Sequence, residues 1–310
     1  MKKLSLLLLV GFLVSLTYQA EGQRITREEL IFLTPEWTGE RFPDGRPKIS
    51  DDLIERAKRI DFADAWQVLY TAGYTEQYDG GYQFVHNDMR IVGSVVTATF
   101  LPSRPDLLRA TMQRGHSQGF TGNTNSWPIQ LLERGDVYVA STFGKIDAGT
   151  MIGSNLGTTI FSKTGAGAIF DASARDVDDM KTIGDGQFNV AVRAFHPSFL
   201  RDVVLTGLNT PTRIGVAIAM PGDLVITDRS GVLFIPPHMA QEVIETAEFI
   251  ATRDVFSKFV LSRGIYTPGE IDSEWTPAIR AHFERFIREN PNLPQLTRAE
   301  IDRFMSRRTW

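Results

Sequence analysis

Gly153-Ser154-Asn155-Leu156-Gly157 opens the stretch that decides the fold, and Ala174-Arg175-Asp176-Val177-Asp178-Asp179 closes it. Between them lie a helix-like segment, Ile152 to Thr164, and the run Gly165-Ala166-Gly167-Ala168-Ile169-Phe170-Asp171, whose end from Ala168 reads as a strand. Glycine ahead of a helix lets successive backbone N–H groups point outward, and the helix N-terminus carries partial positive charge, so Gly153 to Leu156 can form an anion cradle. Arg175 follows the strand closely enough to reach the same crevice, and its guanidinium binds carboxylates by a fork of donors. Asp176 offers an oxygen of the kind Mg²⁺ takes, one or two carboxylates with several waters; Asp178 and Asp179 could hold metal-bound waters. Two plainer readings stand beside these. The glycines also make an unliganded tight turn, and Arg-Asp-Val-Asp-Asp also makes a solvated, acidic helix N-terminus.

Outward from this stretch, the pattern alternates locally between strand and helix. Upstream, Ile91 to Phe100 is β-branched and reads as a strand stopped by Pro102; Gly135 to Ala140 is a short buried strand. Downstream, Phe188 to Ala194 is another, and Pro221 to Asp228 with Gly231 to Pro236 form two strands across an Asp-Arg-Ser-Gly turn. Ser50 caps a helix with Asp51 and Asp52 in its first turn, and a second helix, Ala63 to Ala72, ends at Gly73. Tyr74 to Phe84 suggests a hairpin or long loop. Met239 to Val260 is a long helix, Trp275 to Glu289 another, and Thr297-Arg298-Ala299-Glu300 has capping-box spacing. Because helices alternate with strands only in the middle, a simple doubly wound sheet is not expected.

The ends carry other information. Lys2 and Lys3 precede an apolar run of about 13 residues, Leu4 to Leu16, and Ala20-Glu21-Gly22 supplies small residues for cleavage before Gln23. A spanning helix needs roughly 20 apolar residues, so residues 1–22 read as a signal peptide rather than an uncleaved anchor. An exported, periplasmic or secreted, protein is expected. Residues 23–47, with Pro35, Pro43, Gly45 and Pro47, look extended. Cleavage would remove Lys2, Lys3 and Glu21, leaving 31 basic against 36 acidic residues, a net of −5. Such a balance does not suit nucleic acid. With no cysteine, disulfides, thiolate metal sites and cysteine nucleophiles are excluded. The five histidines lack metal-ligand spacing, Ser126 and Ser198 lack a nucleophile elbow, and Lys145 sits in a glycine-flanked loop. Phe249, Phe256 and Phe259 read as packing.

Leu156 through Asp179, with Pro221-Gly222-Asp223-Leu224-Val225 and Asp228-Arg229-Ser230-Gly231-Val232, resembles the regulator-of-ribonuclease-activity-A-like family, which includes the 4-hydroxy-4-methyl-2-oxoglutarate aldolases. The resemblance covers roughly residues 48–265, leaving 266–310 as a helical C-terminal extension. It implies an α/β fold of three layers, β/β/α, with N-terminal helices, assembled as homotrimers or hexamers with sites between subunits. It implies that Gly153, Ser154, Asn155 and Leu156 hold a 2-oxo-acid carboxylate, that Arg175 contacts the substrate oxygens, and that Asp176 ligates Mg²⁺ or another divalent ion such as Mn²⁺. The ribonuclease regulators of the family lack the metal aspartate.

The resemblance therefore implies a metal-dependent carbon–carbon lyase, an aldolase or oxaloacetate decarboxylase releasing pyruvate from a small 2-oxo acid. One residue departs from the pattern. Aldolases of the family carry Asp where this chain has Ser154, and serine is a poor base. Asp147 and Asp228 are the substitutes the sequence offers. The alternative is a non-catalytic binding or regulatory protein that kept the fold.

Overall fold

The β-branched run that begins at Val92 lies at the middle of the computed structural model, which describes residues 24–306. The signal-peptide reading of residues 1–22 lies outside the described residues. Eleven strands are described: β1 (Tyr78–Gly80), β2 (Gln83–Phe84), β3 (Val92–Pro102), β4 (Asp136–Ile152), β5 (Ala168–Ala174), β6 (Val190–Phe195), β7 (Val203–Leu208), β8 (Thr212–Ile214), β9 (Ala217–Ala219), β10 (Leu224–Asp228) and β11 (Gly231–Ile235). The main sheet runs β1-β11-β10-β3-β4-β5-β6-β2, with β7 on the far half of β3. Strands β3 to β6 are parallel and the rest antiparallel. Pro102, expected to stop β3, is instead its last paired residue, opposite Val203.

Period-two alternation assigns each residue of these strands to one of two cores. Val96, Tyr138, Ala140 and Phe170 face the helices, while Val95, Val137, Val139 and Ile169 face the β8–β9 hairpin through Ile214, Ala217 and Ala219. The helix face is covered in two places. Near β4 and β5 lie α5 (Trp127–Leu131), α6 (Ser154–Thr164) and α7 (Val177–Met180). Over β10 and β11 lie α2 (Asp51–Ala57), α3 (Phe62–Thr71) and the first half of α8 (Ala240–Ser262). This is a mixed α/β architecture, hairpin, sheet and helices in order. Another helix, α4 (Pro105–Ser117), connects β3 towards α5.

The stretch from Tyr74 to Phe84 is neither a hairpin nor a long loop. β1 pairs with β11 and β2 with β6, at opposite edges of the sheet. Only Gly81 and Tyr82 separate them, so the sheet curls until its edges lie within about 11 Å of chain. Arg193 of β6 closes the gap. Its Nη1 donates to Gly80 O at 2.7 Å, Nη2 to Asp79, and Nε to Asp171 Oδ1 at 2.6 Å. Sequence periodicity could not see this, because two- and three-residue strands carry no pattern.

The N-terminal segment also differs from expectation. Within the expected extended segment, residues 24–47 are not wholly extended, since α1 (Arg27–Leu33) forms there. Thr26 Oγ1 accepts from Glu29 N–H at 3.1 Å, two glutamates sit in the first turn, and Leu30 is buried. These local helix signals act ahead of Pro35, which ends the segment's helical potential. At the other end, Phe249, Phe256 and Val260 of α8 pack with α9 (Pro268–Ile271), α10 (Pro277–Glu289) and α11 (Arg298–Met305) in a separate aromatic cluster. Phe249 and Phe256 are core residues there, and the Thr297–Glu300 capping box forms.

Candidate active site

Strand register brings the two ends of the decisive stretch together. Ile152, the last residue of β4, pairs with Ala174, the last of β5, and Arg175 N–H donates to Ile152 O at 3.1 Å. Gly153 and Arg175 therefore leave the sheet side by side, at the carboxyl ends of parallel strands. Open α/β sheets bind ligands in that crevice. Gly153 caps α6 with extended backbone, φ −128°, and Gly165 ends the helix in the left-handed region at φ 64°, its N–H bonded to Phe161 O at 2.7 Å.

Asp176 turns the chain back over the helix. It sits at φ 59°, a left-handed conformation that Asp tolerates better than most residues. Its Oδ2 accepts from Ser154 N–H at 3.2 Å and lies 3.4 Å from Arg175 Nε. A carboxylate thus stands on the positive pole of α6, where the amides of the first turn have no carbonyl one turn back to bond. Gly153 is required by this approach: a Cβ there would stand 2.2 Å from Asp176 Oδ2.

These groups open onto a cavity of about 580 Å³. Gly153, Asn155, Leu156, Arg175 and Asp176 all line it; Ser154 contributes through its amide to Asp176. The β6–β7 link adds Phe199, Arg201 and Asp202, and the 3-10 turn Thr124–Ser126 before α5 adds Asn125, held by a 2.9 Å bond from Nδ2 to Met151 O. Phe199 is 58% exposed and lies between two guanidinium groups, Arg175 at 5.3 Å and Arg201 at 5.4 Å from its ring. Facing an open cavity, that exposed ring and its flanking cations form a partly apolar wall, on which Asp202 also stands.

Several sequence expectations are corrected here. Asp147 and Asp228 do not line the cavity. The Asp147 side chain is 88% exposed beside His196, and Asp228 Oδ1 accepts from Ser230 N–H in the β10–β11 turn. Asp178 and Asp179 also lie off the cavity lining, and Asp178 pairs with Lys181 at 3.2 Å. His196 Nδ1 contacts Ser198 Oγ at 2.9 Å and Asp147 at 4.0 Å. Serine and acid meet the same ring nitrogen, so this is no catalytic triad. Lys145 Nζ bonds Arg201 O at 2.8 Å and supports the β6–β7 link.

Among the described residues no group of three or more histidines and acids gathers as a metal cage. A single partly exposed carboxylate, Asp176, still fits a hard divalent ion that keeps most of its waters.

The profile of the RraA-like family described as Aldolase/RraA matches residues 47–234, more than half of the chain. The chain belongs to this family. Similar solved folds include RraAS2 of Streptomyces coelicolor, described as an unusual member of the RNase ES inhibitor RraA protein family. It is 22% identical, covering 69% of this chain and 100% of that one with a TM-score of 0.58. An uncharacterised protein of Pseudomonas syringae pv. tomato is 21% identical, covering 73% and 98%, with a TM-score of 0.57. An uncharacterised protein of Methanocaldococcus jannaschii is 30% identical over 88 residues, 28% of this chain and 41% of its own length. The match spans the β4–α6–β5 unit. Phe199, Arg201, Asp202 and Asn125 were not legible beforehand; the one available signal was the β6 pattern, without its place beside β5. Among the described residues no helix is long and apolar enough to cross a membrane.

Proposed function

We propose that the chain is a divalent-metal-dependent lyase on a small 2-oxo acid, of the 4-hydroxy-4-methyl-2-oxoglutarate aldolase or oxaloacetate decarboxylase type. It would work as an exported homotrimer or hexamer. The observation that carries this reading is the meeting of the α6 amides, Arg175 and Asp176 on one cavity wall. Asp176 would hold Mg²⁺ or Mn²⁺, which when bound polarises the substrate's 2-oxo and carboxylate oxygens as a Lewis acid. The first-turn amides around Asn155 and Leu156 orient the carboxylate by donated hydrogen bonds. Arg175, braced against Phe199, donates to the oxygen that becomes negative as the carbon–carbon bond breaks. Two arginines, Arg175 and Arg201, line the cavity, which suits a substrate with two carboxylates.

Release of pyruvate from each acid, with and without Mg²⁺, tests the proposal. Arg175→Ala is expected to lower kcat/KM by about a hundredfold or more, the loss typical of one preorganised oxyanion donor. Asp176→Ala is expected to abolish metal binding by calorimetry. A second reading, a non-catalytic binding protein, is favoured by Ser154. Pyruvate binding without any turnover would select it, and a parent protein that binds neither metal nor pyruvate would dispose of the lyase.

A further inference from the structure

The β6–β7 link, residues 196–202, is fixed from three directions where it borders the cavity. Arg201 N–H donates to Ala148 O at 2.9 Å, Lys145 Nζ to Arg201 O at 2.8 Å, and Ser103 N–H to Asp202 O at 2.8 Å. Asp202 itself is held at φ 55°. Aspartate tolerates this left-handed conformation better than most residues, and the three bonds around it hold the chain there. Its carboxylate is exposed and has no hydrogen-bond or ion-pair partner among the described residues.

The cavity lining contains no histidine, lysine, glutamate or tyrosine. Two lining side chains can take up a proton, Asp176 and Asp202. Asp176 is committed to Ser154 N–H and Arg175. The remaining acid stands on the wall formed by β6 and β7, beside Arg201 and Phe199.

We propose that Asp202 is the general base of carbon–carbon cleavage, taking the role for which Ser154 is unsuited; this rests on the lyase reading above. For 4-hydroxy-4-methyl-2-oxoglutarate, Asp202 removes the proton of the C4 hydroxyl. The O–H electron pair becomes the new carbonyl bond of one pyruvate. The C3–C4 bond breaks, and its pair moves to C3 to give the enolate of the second pyruvate. The enolate takes a proton at C3 from water and Asp202 gives its own proton to solvent, so two pyruvates leave and the carboxylate is restored. Decarboxylation of oxaloacetate breaks a bond to a carboxylate and needs no hydroxyl proton removed. The two reactions therefore separate the base from the rest of the site.

Asp202→Asn is the test, because asparagine tolerates the left-handed backbone. It is expected to lose cleavage of 4-hydroxy-4-methyl-2-oxoglutarate by about 10²–10⁴-fold, the range for a positioned general base. Oxaloacetate decarboxylation and calorimetric affinities for Mg²⁺ and pyruvate are expected to stay within about threefold of the parent. Asp202→Gly, equally at ease at this φ, is expected to show the same split. Retention of both activities, or equal loss of both in a folded protein that still binds pyruvate, overturns the role of Asp202 and leaves the lyase reading standing. A parent that cleaves neither acid ends both, and does so before any variant is made.

Discussion

Replacing Gly153 with alanine perturbs the candidate site through one atom. Its backbone, at φ −128° and ψ −165°, is open to any L-residue, so alanine brings no conformational strain. The added Cβ would lie 2.2 Å from Asp176 Oδ2 and 3.1 Å from Arg175 Nε. Ordinary contact begins at 3.4 Å, so the Asp176 carboxylate must retreat by roughly 1 Å. It is the free end of a side chain and can do so. The fold then loses little beyond the bond from Ser154 N–H, roughly 1 kcal/mol. The site loses far more, because a 1 Å misplacement of a catalytic group costs about a hundredfold. Gly153→Ala is therefore expected to unfold within a few degrees of the parent in a thermal melt. Its affinity for Mg²⁺ or Mn²⁺, read by calorimetry, and its pyruvate release should fall by about two orders of magnitude. Unchanged metal affinity in this variant would refute the placement of the ion at Asp176. A large loss of stability would refute the argument that only a side-chain end is displaced.

Two further perturbations probe the scaffold. Arg46 is buried, 2.8 Å from both Asp136 Oδ1 and Asp44 Oδ2; Asp44 keeps Arg24 and Asn209, but Arg46→Met strands the buried Asp136 and is expected to cost about 3–5 kcal/mol in urea unfolding at pH 7. Adding Asp136→Leu to it should recover part of that loss. Asp64 is pushed up to about 6 from 3.8, first by partial burial and then by Asp61 and Asp254. A carboxyl that holds its proton more tightly when folded stabilises the fold below pH 4, and that contribution is lost as pH rises through 6. Solvent screening reduces the effect to about 1 kcal/mol. Asp64→Asn is expected to raise stability by that amount at pH 7.5 and to leave it unchanged at pH 4, as read from urea midpoints at the two values.

How far the site could be read in advance follows from the range of the forces involved. The turn at Gly153 was legible because a glycine ahead of an apolar helical run is a local signal. Arg175 and Asp176 were legible as neighbours of a strand end. Their meeting with α6 required the Ile152–Ala174 register, which is a property of two strands and not of either one. Asp147 looked well placed because it is close in sequence, yet the irregular end of β4 carries it out to solvent beside His196. Asp202 attracted no attention because nothing local marks it. It reaches the cavity only because β6 lies beside β5 in the sheet.

Local pattern marks helices and strands where a cap or an apolar run announces them, while α4 and β7 carried no such signal. Capping by Ser50 and Thr297, the glycine turn at 153 and the apolar runs of β3, β5 and β10 act over a few residues, and no tertiary partner is needed to read them. Tertiary structure decided the order of the strands, the closure of β1 against β6 through Arg193, and the membership of the cavity. Those depend on burying two faces of one sheet at once and on satisfying buried charges such as Asp79 and Asp171, energies that exist only between distant segments.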